Sequence, residues 1–437
     1  MVRIGASNEY FYQHNMGDAV FEIVTDITFV DEIDVEAMQR AATDAISLYP
    51  ELGFMPVLKD DSIVPAENDA PVVFCEYGSC PLCFGSDETN GYLFYVMYTE
   101  RRLMMRFFHG MADYVGLKAY IKTMLYFYLT GKGIEIKDEN FLRSCRIQPE
   151  DLVGLDEDDM YDPYRKYGDM TASSPLSMPP GTFQFSDIPD KLPYNNSHLY
   201  EVVLSTSEFL KKTKELGISF APLLHLVVCD AICASCDVGE APYVGMLPVD
   251  LRRFFDSKTL VNCSDSVFIP QTFEDRKADI AIRGAKIKKY ITDSMNAEYA
   301  RALMGDKVRQ VEDYDKLKKA LLRSRPSASE NKDENPSKKV TAVRPFTFGV
   351  TYPGATVWEG GIDEYVENVR AYGLVRISMV SISTYKDVMQ FTFNMKTEDT
   401  GLIGAVGDVL GRMGISSKIV DHGLIEKTLM PKDRLKK

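Results

Sequence analysis

The feature that most limits what this chain can become is a pattern used twice: strand, helix, strands, helix, on either side of a stretch with no period. In the first half, apolar alternation within residues 17–30 reads as a strand. Asp34 then opens a helical run from Val35 to Ile46, in which Val35, Met38, Ala42, Ala45 and Ile46 share one face. The run stops near Tyr49-Pro50, because the residue before a proline avoids the helical region. Short strands near 54–58 and 71–76 come next. A hairpin follows, in which 91–98 and 102–108 turn at Thr99-Glu-Arg-Arg102, and then a helix over 115–129 that halts before Gly131. The second half repeats the scheme with a strand at 198–204, helices at 207–216 and 220–234, and a strand at 242–248. A long charged helix over roughly 274–303, strands near 345–351, 373–382 and 387–394, and a helix at 399–412 complete it.

Such a pattern predicts an α/β chain, of the α+β kind, with two mixed lobes built around open sheets. The N-terminal lobe is expected in residues 1–150 and the C-terminal lobe in 196–437. Residues 151–195, rich in Asp, Pro, Tyr and Ser, read as a long inter-lobe connection. Residues 322–340, mostly Ser, Lys, Glu, Asn and Pro, are the most disorder-like stretch.

Charge narrows the partners. The net charge of −14 means that counterion release offers nothing to drive binding, which argues against nucleic acid. Anionic membrane surfaces are disfavoured for the same reason, and no run approaches the ~20 apolar residues of a membrane span. A small anionic ligand stays open, since a few local Lys or Arg side chains suffice for it. The opening residues lack the apolar core of a signal peptide, so a cytoplasmic protein is expected, with its eight cysteines as thiols.

The chemistry concentrates at Phe108-His-Gly-Met-Ala-Asp113, which follows an apolar strand and precedes a helix. Gly110 and Ala112 keep the turn small, so an imidazole can stand at the strand end. A neutral imidazole is the side chain best suited to accept a proton near neutral pH. The plainer reading is a satisfied, partly buried histidine followed by a helix N-cap at Asp113.

These residues resemble the His-x-x-x-Asp signature of the CoA-dependent acyltransferase superfamily. That group includes chloramphenicol acetyltransferase, the plant BAHD enzymes, bacterial alcohol acetyltransferases and the condensation domains of peptide synthetases. Further segments are similar in the same order: Ile33 to Met38 ending in Tyr49-Pro-Glu-Leu52, Gly245-Met-Leu-Pro-Val-Asp-Leu-Arg-Arg-Phe-Phe255, and Phe348-Gly-Val-Thr-Tyr-Pro353. The resemblance implies two chloramphenicol-acetyltransferase-like lobes with a tunnel between them. It implies an acyltransferase in which His109, as general base, deprotonates an alcohol or amine acceptor for attack on an acyl thioester.

In that reading Asp113 points away from the substrate and pairs with an arginine, Arg252 or failing that Arg253. Gly110, Tyr114, Thr351 and Tyr352 are the tunnel-lining candidates, and Thr351 and Tyr352 lie where an oxyanion stabiliser would be sought. No cofactor would be bound permanently. Acyl-CoA or an acyl carrier thioester would be the co-substrate, and the partners would be a small-molecule acceptor and an acyl carrier protein. The chain departs from the pattern at Phe108, where some branches have a first histidine, and at Tyr114, where a glycine is usual. It also lacks the Asp-Phe-Gly-Trp-Gly of plant members. The competing readings are a catalytically degenerate, condensation-like binding or scaffold protein and a thioester hydrolase.

Other features point to no metal. Cys229-x3-Cys233-x2-Cys236 has iron–sulfur spacing, but it lies within and just after an apolar helix, where thiols cannot fold around a cluster. Cys75, Cys80 and Cys83 resemble half a zinc site without its second pair. His225 sits on the apolar face of its helix and is expected in the core. His14 and His198 receive no role, and Asp156-Glu-Asp-Asp159 reads as a solvated turn.

Overall fold

The fold is drawn from a computed structural model that describes residues 4–15, 20–59, 62–79, 81–175, 179–185, 192–193, 195–323, 346–352, 354, 362–375, 377–398 and 400–430. The disorder-like stretch at 322–340 lies almost wholly outside them, as do Cys80, Pro353 and the side chain of His14. The first elements are α1 (Ala6–Asn15), β1 (Glu22–Phe29), α2 (Val35–Ile46), β2 (Met55–Lys59), β3 (Ser62–Ala66), β4 (Phe74–Glu76), β5 (Phe94–Tyr98), β6 (Arg102–Phe108) and α3 (Tyr114–Gly131). Three short helices follow: α4 (Glu139–Arg143), α5 (Glu157–Tyr161) and α6 (Pro163–Tyr167). Then come β7 (Asn196–Ser205), α7 (Thr206–Leu216), α8 (Phe220–Ser235), β8 (Tyr243–Asp250), β9 (Ser264–Gln271), α9 (Phe273–Lys277), α10 (Ile280–Ser294) and α11 (Ala297–Arg323). The last elements are β10 (Phe348–Thr351), β11 (Val366–Leu374), β12 (Met379–Tyr385), β13 (Val388–Met395), α12 (Gly401–Arg412) and β14 (Ser417–Glu426).

Two open mixed sheets organise these elements. The first runs β11-β1-β6-β5-β4, and the second β14-β7-β13-β12-β10-β8-β9; β2 and β3 form a separate hairpin. Each large sheet has its own apolar core. The α/β architecture therefore matches the expected fold class. Local chemistry explains the best-read elements. Asp34 caps α2 by accepting the Ala37 N–H at 2.9 Å, and α2 buries Met38, Ala41, Ala42, Ala45 and Ile46. At the end of that run the Tyr49 hydroxyl lies 2.7 Å from Thr123 on α3.

The sheets are not separate halves of the chain. Strand β11 pairs antiparallel with β1, with Ile27 opposite Val369, so a late segment completes the N-terminal sheet. Ser383 of β12 accepts the Ala371 N–H at 2.8 Å and donates to the Ala371 carbonyl at 2.9 Å, which ties β11 to the second sheet as well. Dividing the chain at 150 and 195 thus leaves β11 across the cut from the sheet it joins.

Several expectations need correction. The single helix expected at 274–303 is three helices, α9, α10 and the start of α11. Asp279 turns its side chain onto the Ala281 N–H (2.8 Å) and Asn296 onto the Tyr299 N–H (2.9 Å), so each opens a new helix instead of continuing the last. The strand expected at 373–382 is two strands, β11 and β12, in different sheets. The connection at 151–195 contains α5 and α6, and Asp162 caps α6 just ahead of Pro163. Helix α1 and strands β9 and β14 had no expected counterpart. Pro270 disguises β9, which is tolerated because β9 is an edge strand. Strand β14 is an edge whose side chains are mostly exposed, so it carries no apolar alternation. Among the described residues no single helix is long and apolar enough to cross a membrane.

Candidate active site

His109 is the first residue after β6. Its backbone N–H donates to the Phe21 carbonyl at 2.8 Å, and the Met111 N–H closes a turn onto Phe108 O at 2.9 Å. The imidazole Nδ1 lies 3.2 Å from the Ala112 carbonyl. A carbonyl can only accept, so Nδ1 carries the proton and the lone pair is on Nε2. One face of the ring stacks on Phe11 of α1, with centroids 4.8 Å apart and planes 22° apart. His109 as a residue is partly exposed, while its ring lies deep among other atoms. Burial holds its pKa below the ordinary 6.5. The positive charge of Lys307 adds to that, while Asp113 and the Ala112 carbonyl oppose it.

The turn is locked from outside as well. Asn8 of α1 donates its side-chain N–H to the Gly110 carbonyl at 2.6 Å. A Cβ at Gly110 would lie 2.4 Å from the Phe108 ring and 2.7 Å from Phe11 Cβ, so the close approach of α1 needs a glycine here.

Asp113 caps α3, with Oδ1 accepting the Gly116 N–H at 3.0 Å. The same oxygen accepts from Arg252 Nη2 at 3.0 Å. Oδ2 accepts the Cys263 N–H at 2.8 Å and lies 2.9 Å from Arg252 Nη1. The guanidinium spends its remaining donors on Thr259 O (2.7 Å), Val261 O (2.7 Å) and Asp250 Oδ1 (2.9 Å). Both residues are buried, 5% exposed for Asp113 and 8% for Arg252. Although burial disfavours its charge, the carboxylates of Asp113 and Asp250 hold the Arg252 guanidinium firmly protonated. Ala112 bridges to Val261, and a Cβ at Gly116 would lie 1.9 Å from the Leu260 carbonyl. The start of α3 is thereby pressed against residues 259–263, and the Asp113–Arg252 pair fastens the His109 turn to the second sheet's side of the molecule. Arg253 faces elsewhere, over the Phe254 ring at 5.1 Å.

The other sequence candidates are spread more widely. Tyr114 is 8% exposed and packs into the N-terminal core, with the Lys118 ammonium 5.0 Å from its ring centroid. Thr351 ends β10 opposite Ser381 of β12. Tyr352 packs on Phe220 at 4.7 Å, with its hydroxyl 3.3 Å from Thr384. No described contact joins Thr351 or Tyr352 to His109. His225 is a buried core histidine on α8, kept neutral because burial brings its pKa down to about 3.

Three residues that bear on the turn escape sequence reasoning: Asn8 and Phe11 by contact and Lys307 by its charge. The first two lie on α1, whose polar residues hide its aromatics. Lys307 lies on α11, its Nζ 3.9 Å from the Tyr10 ring centroid and 3.7 Å from Asp265 Oδ2. Burial opposes its charge, but Asp265 and Tyr10 raise its pKa above the ordinary value. Nothing in a charged helix marks one lysine as the one whose charge the histidine feels. Among the described residues, no group of three or more His, Cys, Asp or Glu side chains is arranged to hold a metal ion.

No known protein-family model matches the chain, and no curated protein matches it by sequence. Solved structures do match over nearly the whole length. Polyketide synthase associated protein 5 from Mycobacterium tuberculosis aligns with a TM-score of 0.58 at 13% identity, covering 94% of this chain and 97% of that one. TRI101 of F. graminearum, complexed with coenzyme A and T-2 mycotoxin, aligns with a TM-score of 0.59 at 11% identity, covering 96% and 99%. The starter condensation domain of rhizomide synthetase RzmA, in complex with C8-CoA and Leu-SNAC, aligns with a TM-score of 0.56 at 13% identity, covering 94% and 93%. The chain therefore has the two-lobed fold shared by CoA-dependent acyltransferases and condensation domains.

Proposed function

We propose that the chain is an acyltransferase that moves an acyl group from a CoA or carrier-protein thioester to the hydroxyl or amine of a small molecule. His109 Nε2 takes the acceptor's proton as its oxygen or nitrogen attacks the thioester carbonyl. The tetrahedral intermediate then expels the thiolate, which recovers the proton from His109. Atoms balance as acyl thioester plus acceptor giving acylated acceptor plus free thiol. The observation that carries this reading is the Nδ1 contact to Ala112 O, which leaves the basic lone pair on Nε2 of a partly exposed residue. The fold supports it, since TRI101 was crystallised with coenzyme A and the condensation domain with C8-CoA. In this reading Asp113 and Arg252 are positioning residues, and Gly110 allows α1 to close on the base.

The test is release of free thiol from a panel of acyl-CoAs, short and medium chain, with and without small alcohols and amines. Release that requires an acceptor and yields its ester or amide is expected. Release without acceptor would identify a hydrolase instead. Silence with every donor, alongside measurable CoA binding, would favour the non-catalytic scaffold.

The pH profile carries a second expectation. Neutral imidazole is the active form, so a pKa below the ordinary value keeps the base available as the medium becomes mildly acidic. Lys307→Met removes a charge that pushes that pKa down. The acidic limb of kcat/KM should therefore move to higher pH, with the alkaline plateau unchanged, and Lys307→Arg should restore it. An unmoved limb in the Met variant would show that the Lys307 charge does not reach the imidazole.

A further inference from the structure

The three thiols at the end of α8 take no part in acyl transfer, and their surroundings are unusual for structural cysteines. Cys233 is partly exposed, and its Sγ lies 3.2 Å from Nη1 of Arg276 on α9. That guanidinium is held in place by the carbonyls of Gly239 (2.8 Å) and Ala241 (2.9 Å), so it is anchored beside the sulfur independently of it. One turn earlier on the helix, Cys229 is fully buried and its thiol hydrogen-bonds to Cys233. Arg283 stands behind this pair, with Nη2 3.8 Å from Cys229 Sγ and 2.6 Å from Asp230, whose charge it offsets.

The arrangement divides the pair into a donor and an acceptor. Burial and the neighbouring sulfur push the Cys229 thiol well up, so it keeps its proton. The Cys229 hydrogen bond and the Arg276 guanidinium pull Cys233 down, against burial and Asp230. Tyr243, which also feels both sulfurs, is raised by burial and stays neutral, and Asp275, next to Arg276 on α9, is lowered against burial by its bonds to Lys286 and Thr272. Cys75, Cys145 and Cys263 differ in kind. Cys75 is also partly exposed, but burial raises it; Cys145 and Cys263 are buried and raised as well. Thiolate, accessibility and a fixed cation are the three requirements for a reactive cysteine, and Cys233 combines them.

We propose that Cys233 is a covalent modification site, a reactive thiolate that forms mixed disulfides with small anionic disulfides of the glutathione type. The Cys233 sulfur attacks one sulfur of the disulfide, the S–S bond breaks, and the second sulfur leaves as a thiolate. The disulfide is itself the oxidant, so no other electron acceptor is needed. Arg276 stabilises the attacking thiolate and favours an incoming molecule that carries carboxylates. Cys229 acts as the hydrogen-bond donor and stays reduced, because burial keeps it protonated.

The experiment treats the full-length reduced protein with oxidised glutathione at neutral pH and maps adducts by peptide mass spectrometry. Cys233 should be modified roughly tenfold faster than Cys75, the partly exposed internal control. Alkylation of Cys233 by iodoacetamide, followed against pH, should reach its plateau below the ~8.5 midpoint of an ordinary thiol. Arg276→Gln should move that titration up, and Arg276→Lys should largely preserve it. Cys229→Ala should also move it up, by a route that leaves α9 untouched. The proposal fails if Cys233 reacts no faster than Cys75. It also fails if its titration lies in the ordinary range, or if both Arg276→Gln and Cys229→Ala leave it unmoved.

Discussion

His109→Ala should lower kcat/KM for acyl transfer by about 10²–10⁴-fold, the range a positioned general base contributes, while the protein stays folded. The two halves of this expectation rest on different contacts. The chemical loss follows from removing Nε2, the basic nitrogen of the ring held by Ala112 O. The structural tolerance follows from the turn being built by other groups. The His109 N–H to Phe21 O bond and the Asn8 side chain on Gly110 O both survive truncation to alanine. What disappears is the stack on Phe11, worth roughly 0.5–1.5 kcal/mol for a pair of aromatic rings. Thiol-release kinetics give the first quantity and thermal unfolding the second. A folded variant that keeps the wild-type rate would remove His109 as the base while leaving the fold assignment intact. The pH profile of the unmutated protein provides an independent check. Burial places the His109 pKa below 6.5, so the rate should hold as the pH falls through that value and decline only below it.

How much of this was legible in the sequence depends on how local each contact is. The His109 turn is local. An apolar strand, a small turn and a cap residue at Asp113 can all be read within a dozen positions. The N-cap reading of Asp113 and its pairing with Arg252 are both present in the structure, since one carboxylate oxygen serves Gly116 and Arg252 together. Arg252 was legible only through the order of motifs, because nothing in its own neighbourhood says which distant carboxylate it meets.

Helix α1 was not legible. Its aromatics Tyr10, Phe11 and Tyr12 follow one another instead of recurring at helical spacing, so no apolar stripe announces it. Yet it supplies both the ring stacked on His109 and the amide that holds Gly110. Strand β11 illustrates a different limit. Its residues read as strand in either sheet, and only the completed topology decides that it pairs with β1. The breaks at Asp279 and Asn296 failed to show because apolar periodicity continues across them. The capping side chains override it.

Asp113→Ala should destabilise the protein by about 3–5 kcal/mol, the cost of leaving one member of a buried ion pair without the other. The lower part of that range is expected here, for a reason visible in the site. Arg252 would still be held by Asp250 and by the carbonyls of Thr259 and Val261, so its charge would not be stranded entirely. The helix cap at Gly116 and the bond to the Cys263 N–H would be lost at the same time. A cap alone is worth about 0.5–2 kcal/mol, so the charge cannot be judged from a single variant. A double-mutant cycle with Arg252→Met separates the terms. If the pair is one unit, Asp113→Ala added to Arg252→Met should cost little more than the cap and the Cys263 bond, and the coupling should reach the 0.5–3 kcal/mol seen for residues in one network. Strictly additive losses, measured by denaturant unfolding, would mean that Asp113 serves α3 alone and that the turn is held to residues 259–263 by packing. Kinetics on the folded fraction then divide position from chemistry. A positioning role predicts a fall in kcat on the alkaline plateau, and because the Asp113 charge raises the His109 pKa, its loss should also move the acidic limb to lower pH, opposite to the shift expected for Lys307→Met.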